Sequence, residues 1–244
     1  MPPRPGGRSL PWANPGAEAP TLSLIMPMLN EAAGIQAALA PLQGLRDAGT
    51  EIIVVDGGSH DNSVALAAPL ADTLLVSDPG RARQMNLGAE HARAAALVFL
   101  HADTRLPADA VEHITQALTT HCWGRFDIHL EGHSRWLPLI SRMMNLRSRL
   151  TGIATGDQCL FIRRTTFAAV GGFPDQPLME DIELSQRLKR QQRPACLHAK
   201  VVSSGRRWDK GGAWPTIYLM WRLRYRYWRG ESAHQLIKDY HHAR

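Results

Sequence analysis

Apolar positions along the chain fall into short blocks, and two rhythms alternate. LSLIMP (22–27), EIIVVD (51–56), DTLLVS (72–77) and ALVFLHAD (96–103) are almost continuously apolar. Blocks of that length suit strands buried on both faces. Between them apolar residues recur every three or four positions. Ile35, Leu39 and Leu42 predict a helix over 31–46, Ser63 to Leu70 a short one, and the Ala-rich segment 81–95 a third. Pro107 opens a helix to about Thr119, because proline is favoured in the first turn. Strands alternating with helices predict an α/β fold with a mostly parallel central sheet covered on both faces.

After Thr120 the pattern changes. WGRFDIHL (123–130) alternates and suits an antiparallel strand. Residues 135–150 form an amphipathic helix, with Arg135, Arg142 and Arg149 on one side and Trp136, Leu139, Ile140 and Met143 on the other. QCLFIRR (158–164) is a strand, MEDIELSQRLKR (179–190) begins a helix, and ACLHAKVVSS (195–204) is the last strand. In WPTIYLMWRLRYRYWR (214–229), Trp214, Ile217, Tyr218, Trp221, Tyr225 and Trp228 share one helical face. Leu219, Met220, Leu223 and Tyr227 share the other, so both broad faces are apolar. The alternatives are a helix buried on both faces, or one that packs on the domain and meets an anionic membrane surface or another subunit. The Pro-, Gly- and Ala-rich residues 1–20 read as a disordered leader, 21–212 as one domain, and 213–244 as a C-terminal extension of amphipathic helices.

Composition narrows the class. Of 244 residues 44% are hydrophobic and 20% charged, which suits a soluble globular protein. No apolar run approaches the roughly 18–20 residues of a membrane span. Cys122, Cys159 and Cys196 are widely separated, which argues against a zinc module or disulfide framework and for a reducing compartment. A cytoplasmic location follows, peripheral on the inner face of the membrane if the tail meets lipid. The net charge of +6 is concentrated in 206–229, which holds Arg206, Arg207, Lys210, Arg222, Arg224, Arg226 and Arg229. No RNA-module signature accompanies it, so nucleic acid is not an expected partner.

In parallel sheets ligands bind beyond the carboxyl ends of the strands. Four segments stand there. PMLNE (27–31) ends the first strand at Pro27 and starts a helix at Asn30 or Glu31. DGGSHDNS (56–63) puts Asp56 at a strand tip beside Gly57, where it suits a ribose or base; Asp61 or Asn62 also suits a helix cap. GRARQMNLG (80–88) offers Arg81 and Arg83 near a helix start, as anion ligands or as a solvated turn. HAD (101–103) delivers Asp103, which suits Mg²⁺ or Mn²⁺ shared with phosphate oxygens; Asp103 or Thr104 also suits a cap for the helix after Pro107. Farther on, Asp181 lies on the Leu184 and Leu188 side of its helix, where a carboxyl suits general-base chemistry, while Glu183 faces solvent.

Taken in order, Pro27-x-x-Asn30-Glu31, Asp56-Gly-Gly-Ser-x-Asp61, Arg83-x-x-Asn86-x-Gly88, His101-Ala-Asp103 and Glu180-Asp181 resemble glycosyltransferase family 2, on the GT-A nucleotide-sugar-binding fold. The resemblance covers about residues 21 to 210. HADT, GDQ, MEDIEL and RRW are similar to the small bacterial group of arsenosugar-biosynthesis or radical-SAM/selenodomain-associated transferases. It implies an inverting transfer from a nucleoside diphosphate sugar, uridine before guanosine, to a hydroxyl acceptor, either a small molecule or lipid-linked. Asp56 would meet the nucleoside beside Pro27, Asn30, Glu31 and Gly57, with Arg81 or Arg83, Asn86 and Ala102 near the base or phosphates. Asp103 would hold the metal and Asp181 would be the base. Gly156, Asp157, Gln158 and Glu180 would shape the acceptor side, with Arg206, Arg207 and Trp208 near the diphosphate.

One departure matters. The family pattern has two aspartates at the fourth strand's end, and the first is His101 here. Either Asp103 suffices or His101 joins it, which would favour Mn²⁺ over Mg²⁺; His101 also reads as a structural histidine. The rival readings are a degenerate sugar-nucleotide-binding regulator and a nucleotidyltransferase. The latter wants a Gly-rich basic loop after the first strand, and PMLNEAAG lacks it.

Overall fold

Side chains on successive strand positions divide between two cores. Leu24, Met26, Ile52, Val54 and Val98 face one, and Ile25, Ile53, Val55, Leu97 and Phe99 the other. That alternation, with few polar interruptions, is what a sheet covered on both faces requires. The computed structural model describes residues 19–242; the leader expected at 1–20 lies, but for its last two residues, outside them. In chain order the elements are β1 (Leu22–Met28), α1 (Ile35–Leu39), α2 (Gln43–Asp47), β2 (Thr50–Asp56), α3 (Ser63–Ala67), β3 (Thr73–Val76), α4 (Arg81–His91), β4 (Ala96–Phe99), β5 (Thr104–Arg105) and α5 (Ala110–Thr120). Then follow β6 (Trp123–Glu131), α6 (Leu137–Thr151), β7 (Leu160–Arg163), α7 (Arg164–Ala169), α8 (Glu180–Gln191), β8 (Ala195–Ser204), α9 (Arg206–Gly211), α10 (Ala213–Trp228) and α11 (Ala233–His242).

The sheet order is β3-β2-β1-β4-β7-β6-β8-β5. β1, β2, β3 and β4 are mutually parallel, β7 runs against β4 and β6, and β8 runs parallel to β6. So β6, expected as an antiparallel strand, pairs antiparallel with β7 but parallel with β8, and points the same way as β1 to β4; the reversed strands are β7 and the two-residue β5. The ends of β1, β2, β4 and β8 and the start of β7 therefore share one edge. α1, α5 and α6 cover one face, through Ile35, Leu39, Ile114 and Ile140, and α4, α7 and α8 the other, through Met85, Phe167, Leu184 and Leu188. Gly88 lets α4 lie close on β1, since a Cβ there would stand 2.5 Å from Ile25 Cγ2.

Several boundaries differ from the sequence reading. Pro27 sits inside β1 rather than ending it, beyond the Ile25–Phe99 pair where the β4 partner stops. The helix expected over 31–46 is broken into α1, a 3₁₀ turn containing Pro41, and α2, because the proline nitrogen has no N–H to donate to the preceding turn and its ring crowds the carbonyl there. α4 ends at His91, and α5 starts at Ala110 rather than Pro107. The tail is not buried on both faces. Leu223 of α10 and Leu236 of α11 pack on Met179 and Ile182 at the head of α8, while the opposite face of α10 is exposed. Among the described residues no helix is long and apolar enough to cross a membrane.

Candidate active site

Two loops at the carboxyl edge are laced together. The Asn30 N–H donates to Ser59 Oγ, the Glu31 N–H to Ser63 Oγ and the Ala32 N–H to Asp61 Oδ2, while Asn30 Oδ1 accepts from the His60 N–H. Asp56 is buried, and its carboxylate accepts from the N–H groups of Gly58 and Ser59 and from Ser59 Oγ. It is largely spent on shaping its own loop, and Asp61 does the same with the Ser63 N–H. Gln84, which the sequence reading missed, reaches from α4 to donate to the carbonyls of Met28 and Val55 and fixes the two strand ends beside Gly57. Its only sequence signal is a polar residue on the buried side of a helix.

Across from these loops lies a cleft of about 520 Å³, lined by Arg81, His101, Asp103, Gly156, Asp157, Glu180, Asp181, Arg207 and Trp208, with Ile140, Met143 and Arg147 of α6 and Met220, Trp221 and Arg224 of α10. Asp181 Oδ2 accepts from the Gly156 N–H at 2.8 Å and Oδ1 from the Ile182 N–H, so both carboxylate oxygens are held by backbone donors. Glu180, not Asp181, is the buried member of the pair; burial, then the Asp181 charge, push its carboxyl up to about 7 against the pull of Arg81 at 3.9 Å. Burial also raises Asp157, whose Oδ1 has no hydrogen-bond partner. Arg147 Nε and Nη2 are likewise buried without partners.

Asp103 lies in the turn after β4, four residues beyond the strand end, with a side chain 36% exposed and Arg206 Nη2 4.0 Å away. Burial raises Glu31 nearby, opposed by Arg206 and reinforced by Asp103. His101 behaves differently. Its ring packs on Gly156, where a Cβ would stand 2.6 Å away, and Nε2 is buried and unpartnered. Burial and then Arg81 hold the imidazole well below its usual range. Among the described residues no three His, Cys, Asp or Glu side chains are gathered to hold a metal. Asp103 alone fits an ion that brings its other ligands with a diphosphate, and the buried Nε2 of His101 does not.

Other expected residues stand apart. Arg83 points to the surface and pairs with Asp175 at 2.8 Å. Asn86 brackets Phe173, accepting from its N–H and donating to its carbonyl. Gln158 is buried and accepts from the Thr155 N–H, a bond within its own turn. Ala102 packs partly on the core. Glu183 is half-buried in a pair with Arg187 rather than fully exposed. Arg207 donates to Tyr240 Oη and stacks on that ring. Asn30, Cys159 and Met179 have φ of 53°, 50° and 65°, and each adjoins a site segment; left-handed strain in non-glycine residues concentrates at such places.

A family model described as glycosyl transferase family 2 matches residues 23–167. A PGL/p-HBAD biosynthesis glycosyltransferase of Mycobacterium bovis is 34% identical over 111 residues, 42% of this chain and 43% of that protein. The chain spans less than half the length of the curated relatives it matches. Among solved structures, the mannosyltransferase PcManGT from Pyrobaculum calidifontis, in complex with GDP-Man and Mn²⁺, superposes with a TM-score of 0.59 at 21% identity, covering 85% of this chain and 61% of that one. Glucosyl-3-phosphoglycerate synthase from Mycobacterium tuberculosis, in complex with Mn²⁺, UDP and glucosyl-3-phosphoglycerate, gives 0.57 at 20%, covering 83% and 81%. These likenesses show the GT-A fold.

Proposed function

The chain belongs to glycosyl transferase family 2, and from that premise we propose that it moves a sugar from a nucleoside diphosphate donor to a hydroxyl acceptor, with inversion at the anomeric carbon. One observation carries the reading: Asp103, Asp181 and Glu180 line a single cleft with Arg81 and Arg207, beyond the strand ends. Asp181, held by the Gly156 and Ile182 amides, takes the proton of the acceptor hydroxyl. The acceptor oxygen forms its bond to the anomeric carbon as the bond to the diphosphate oxygen breaks, and the electron pair leaves with the diphosphate. Arg81 and Arg206 offset the charge that develops there. The Asn30–Ala32 and Asp56–Ser63 loops frame the nucleoside, with Asp56 acting mainly through the loop it holds.

Asp103 would hold a divalent cation, Mn²⁺ or Mg²⁺, which when bound supplies further charge neutralisation for the leaving diphosphate. Mn²⁺ in the complexes of both structural neighbours, with GDP-Man in one and UDP in the other, supports that role and leaves uridine and guanosine as the bases to compare. The replacement of an aspartate by His101 favours a second reading, a domain that binds sugar nucleotides without turnover.

Thermal-shift titration with UDP, GDP, CDP and dTDP, with and without Mn²⁺ or Mg²⁺, tests the proposal, since a ligand that binds only the folded state raises stability. A metal-dependent rise with one nucleotide is expected, with the metal dependence lost in Asp103→Ala. No rise with any nucleotide would overturn the donor site. A rise without donor-sugar cleavage or transfer would favour the second reading.

A further inference from the structure

We propose that the face formed by α6 and α10 docks on an anionic lipid bilayer, with the open end of the cleft against it. Trp214, Tyr218, Trp221, Tyr225 and Trp228 recur at intervals of four and three along α10 and are 60 to 75% exposed. Helical rise spreads that row over about 20 Å. α6 carries a second row, Leu139, Met143, Leu146 and Leu150, which are 46 to 69% exposed. The sequence pattern put Leu139 and Met143 on an apolar side without showing that this side is left uncovered.

The two rows belong to one surface. Trp136, just before α6, meets Trp214 at the head of α10 edge-on, with ring centroids 5.4 Å apart. Met143 and Trp221, one from each row, both line the cleft, so its rim is part of each row. Whatever covers both rows also covers the opening between them.

Charge selects the occupant. α6 contains Arg142, Arg147 and Arg149, α10 contains Arg222, Arg224 and Arg226, and neither helix contains an acid. Arg149 is tied to Asp127, and Arg222 and Arg226 to Asp239. Arg135, Arg142 and Arg229, which flank the rows, have no ion pair among the described residues. Tryptophan and tyrosine rows edged by arginine suit the headgroup region, where rings enter the acyl boundary and guanidinium groups meet lipid phosphates. A second copy on the same face would set arginine against arginine. Docking does not depend on glycosyl transfer. Only the acceptor assignment rests on the proposed transfer: with both, the acceptor is the hydroxyl-bearing head of an amphiphile, approaching past Met143 and Met220.

The test is cosedimentation of the full chain with vesicles of phosphatidylcholine alone or with about 30% phosphatidylglycerol, at about 0.1 M and 0.5 M salt. Expected is at least about tenfold tighter partitioning to the anionic vesicles, weakened by salt. Tyr218→Ser with Tyr225→Ser and Trp228→Ser, and separately Leu146→Ser with Leu150→Ser, should each lower it about tenfold or more. Circular dichroism melting of each variant checks folding, and Arg142→Gln with Arg229→Gln should reduce the anionic preference in the same folded chain. Absence of wild-type binding to either vesicle would overturn the proposal. So would a concentration-dependent dimer in light scattering that the same substitutions dissolve. Neither result bears on nucleotide binding, so docking and transfer fail separately.

Discussion

The two sides of the cleft are built on opposite principles. On the side of β1 and β2, the loop carboxylates and hydroxyls are spent on neighbouring amides: Asp56, Asp61, Ser59 and Ser63 all accept backbone N–H groups. On the side of β7 and α8, buried groups are left without partners. Asp157 Oδ1, His101 Nε2 and two nitrogens of Arg147 are unmatched, and Glu180 is pushed up to about 7 by burial. A satisfied frame holds its shape without a ligand, whereas a cleft with unmatched polar groups keeps interaction energy in reserve for whatever enters. On the proposed function, the nucleotide side is thus pre-formed and the acceptor side poised.

Substitutions can break this contrast, beginning with Asp181→Asn. If the base belongs to the poised side, kcat falls about 10²–10⁴-fold while nucleotide-induced thermal shifts stay unchanged. Equal loss of both would erase the division of labour.

Glu180→Gln probes the stored cost directly. A carboxyl raised from 4.5 to about 7 favours its protonated form in the fold, so its stabilising contribution is complete below about pH 4.5 and is lost as pH rises through 7. The variant should match the wild type near pH 4.5 and exceed it at pH 8.5, by up to about 3 kcal/mol in denaturant unfolding. A difference that does not vary with pH would mean that Glu180 is not held in this way.

Asp61→Ala attacks the satisfied side. It releases the amides of Ala32 and Ser63, lowers the melting temperature modestly, and should weaken nucleotide binding with kcat at saturation kept. The smallest effect is expected from Arg83→Ala. Its exposed pair with Asp175 is screened by solvent and contributes little to stability, and nucleotide-induced shifts should not move, whereas Arg81→Ala should reduce them. Calorimetry with the same nucleotide separates the two arginines.

The legible parts of the chain are those whose cause is local. Near-continuous apolar blocks place β1 to β4, and the residues after them carry the family motifs. Asn86 and Arg83 were placed by motif near the donor, yet their partners, Phe173 and Asp175, lie 87 and 92 residues away, a pairing no local pattern reports. β5 consists of two residues whose strand character comes entirely from pairing with β8. The choice between Glu180 and Asp181 also escaped the helical wheel. Met179 enters α8 from a left-handed conformation, and that turn buries the first acid and offers the second to Gly156.

The seating of α10 and α11 gives the tail a line of communication. Leu223 and Leu236 rest on Met179 and Ile182, the residues that bracket Glu180 and Asp181 at the head of α8. A force or a ligand on the outside of α10 therefore acts one residue from the groups in the cleft. If docking of α10 shifts that seat, amide hydrogen exchange at Asp181 and Ile182 will change with it, a readout that follows no chemistry.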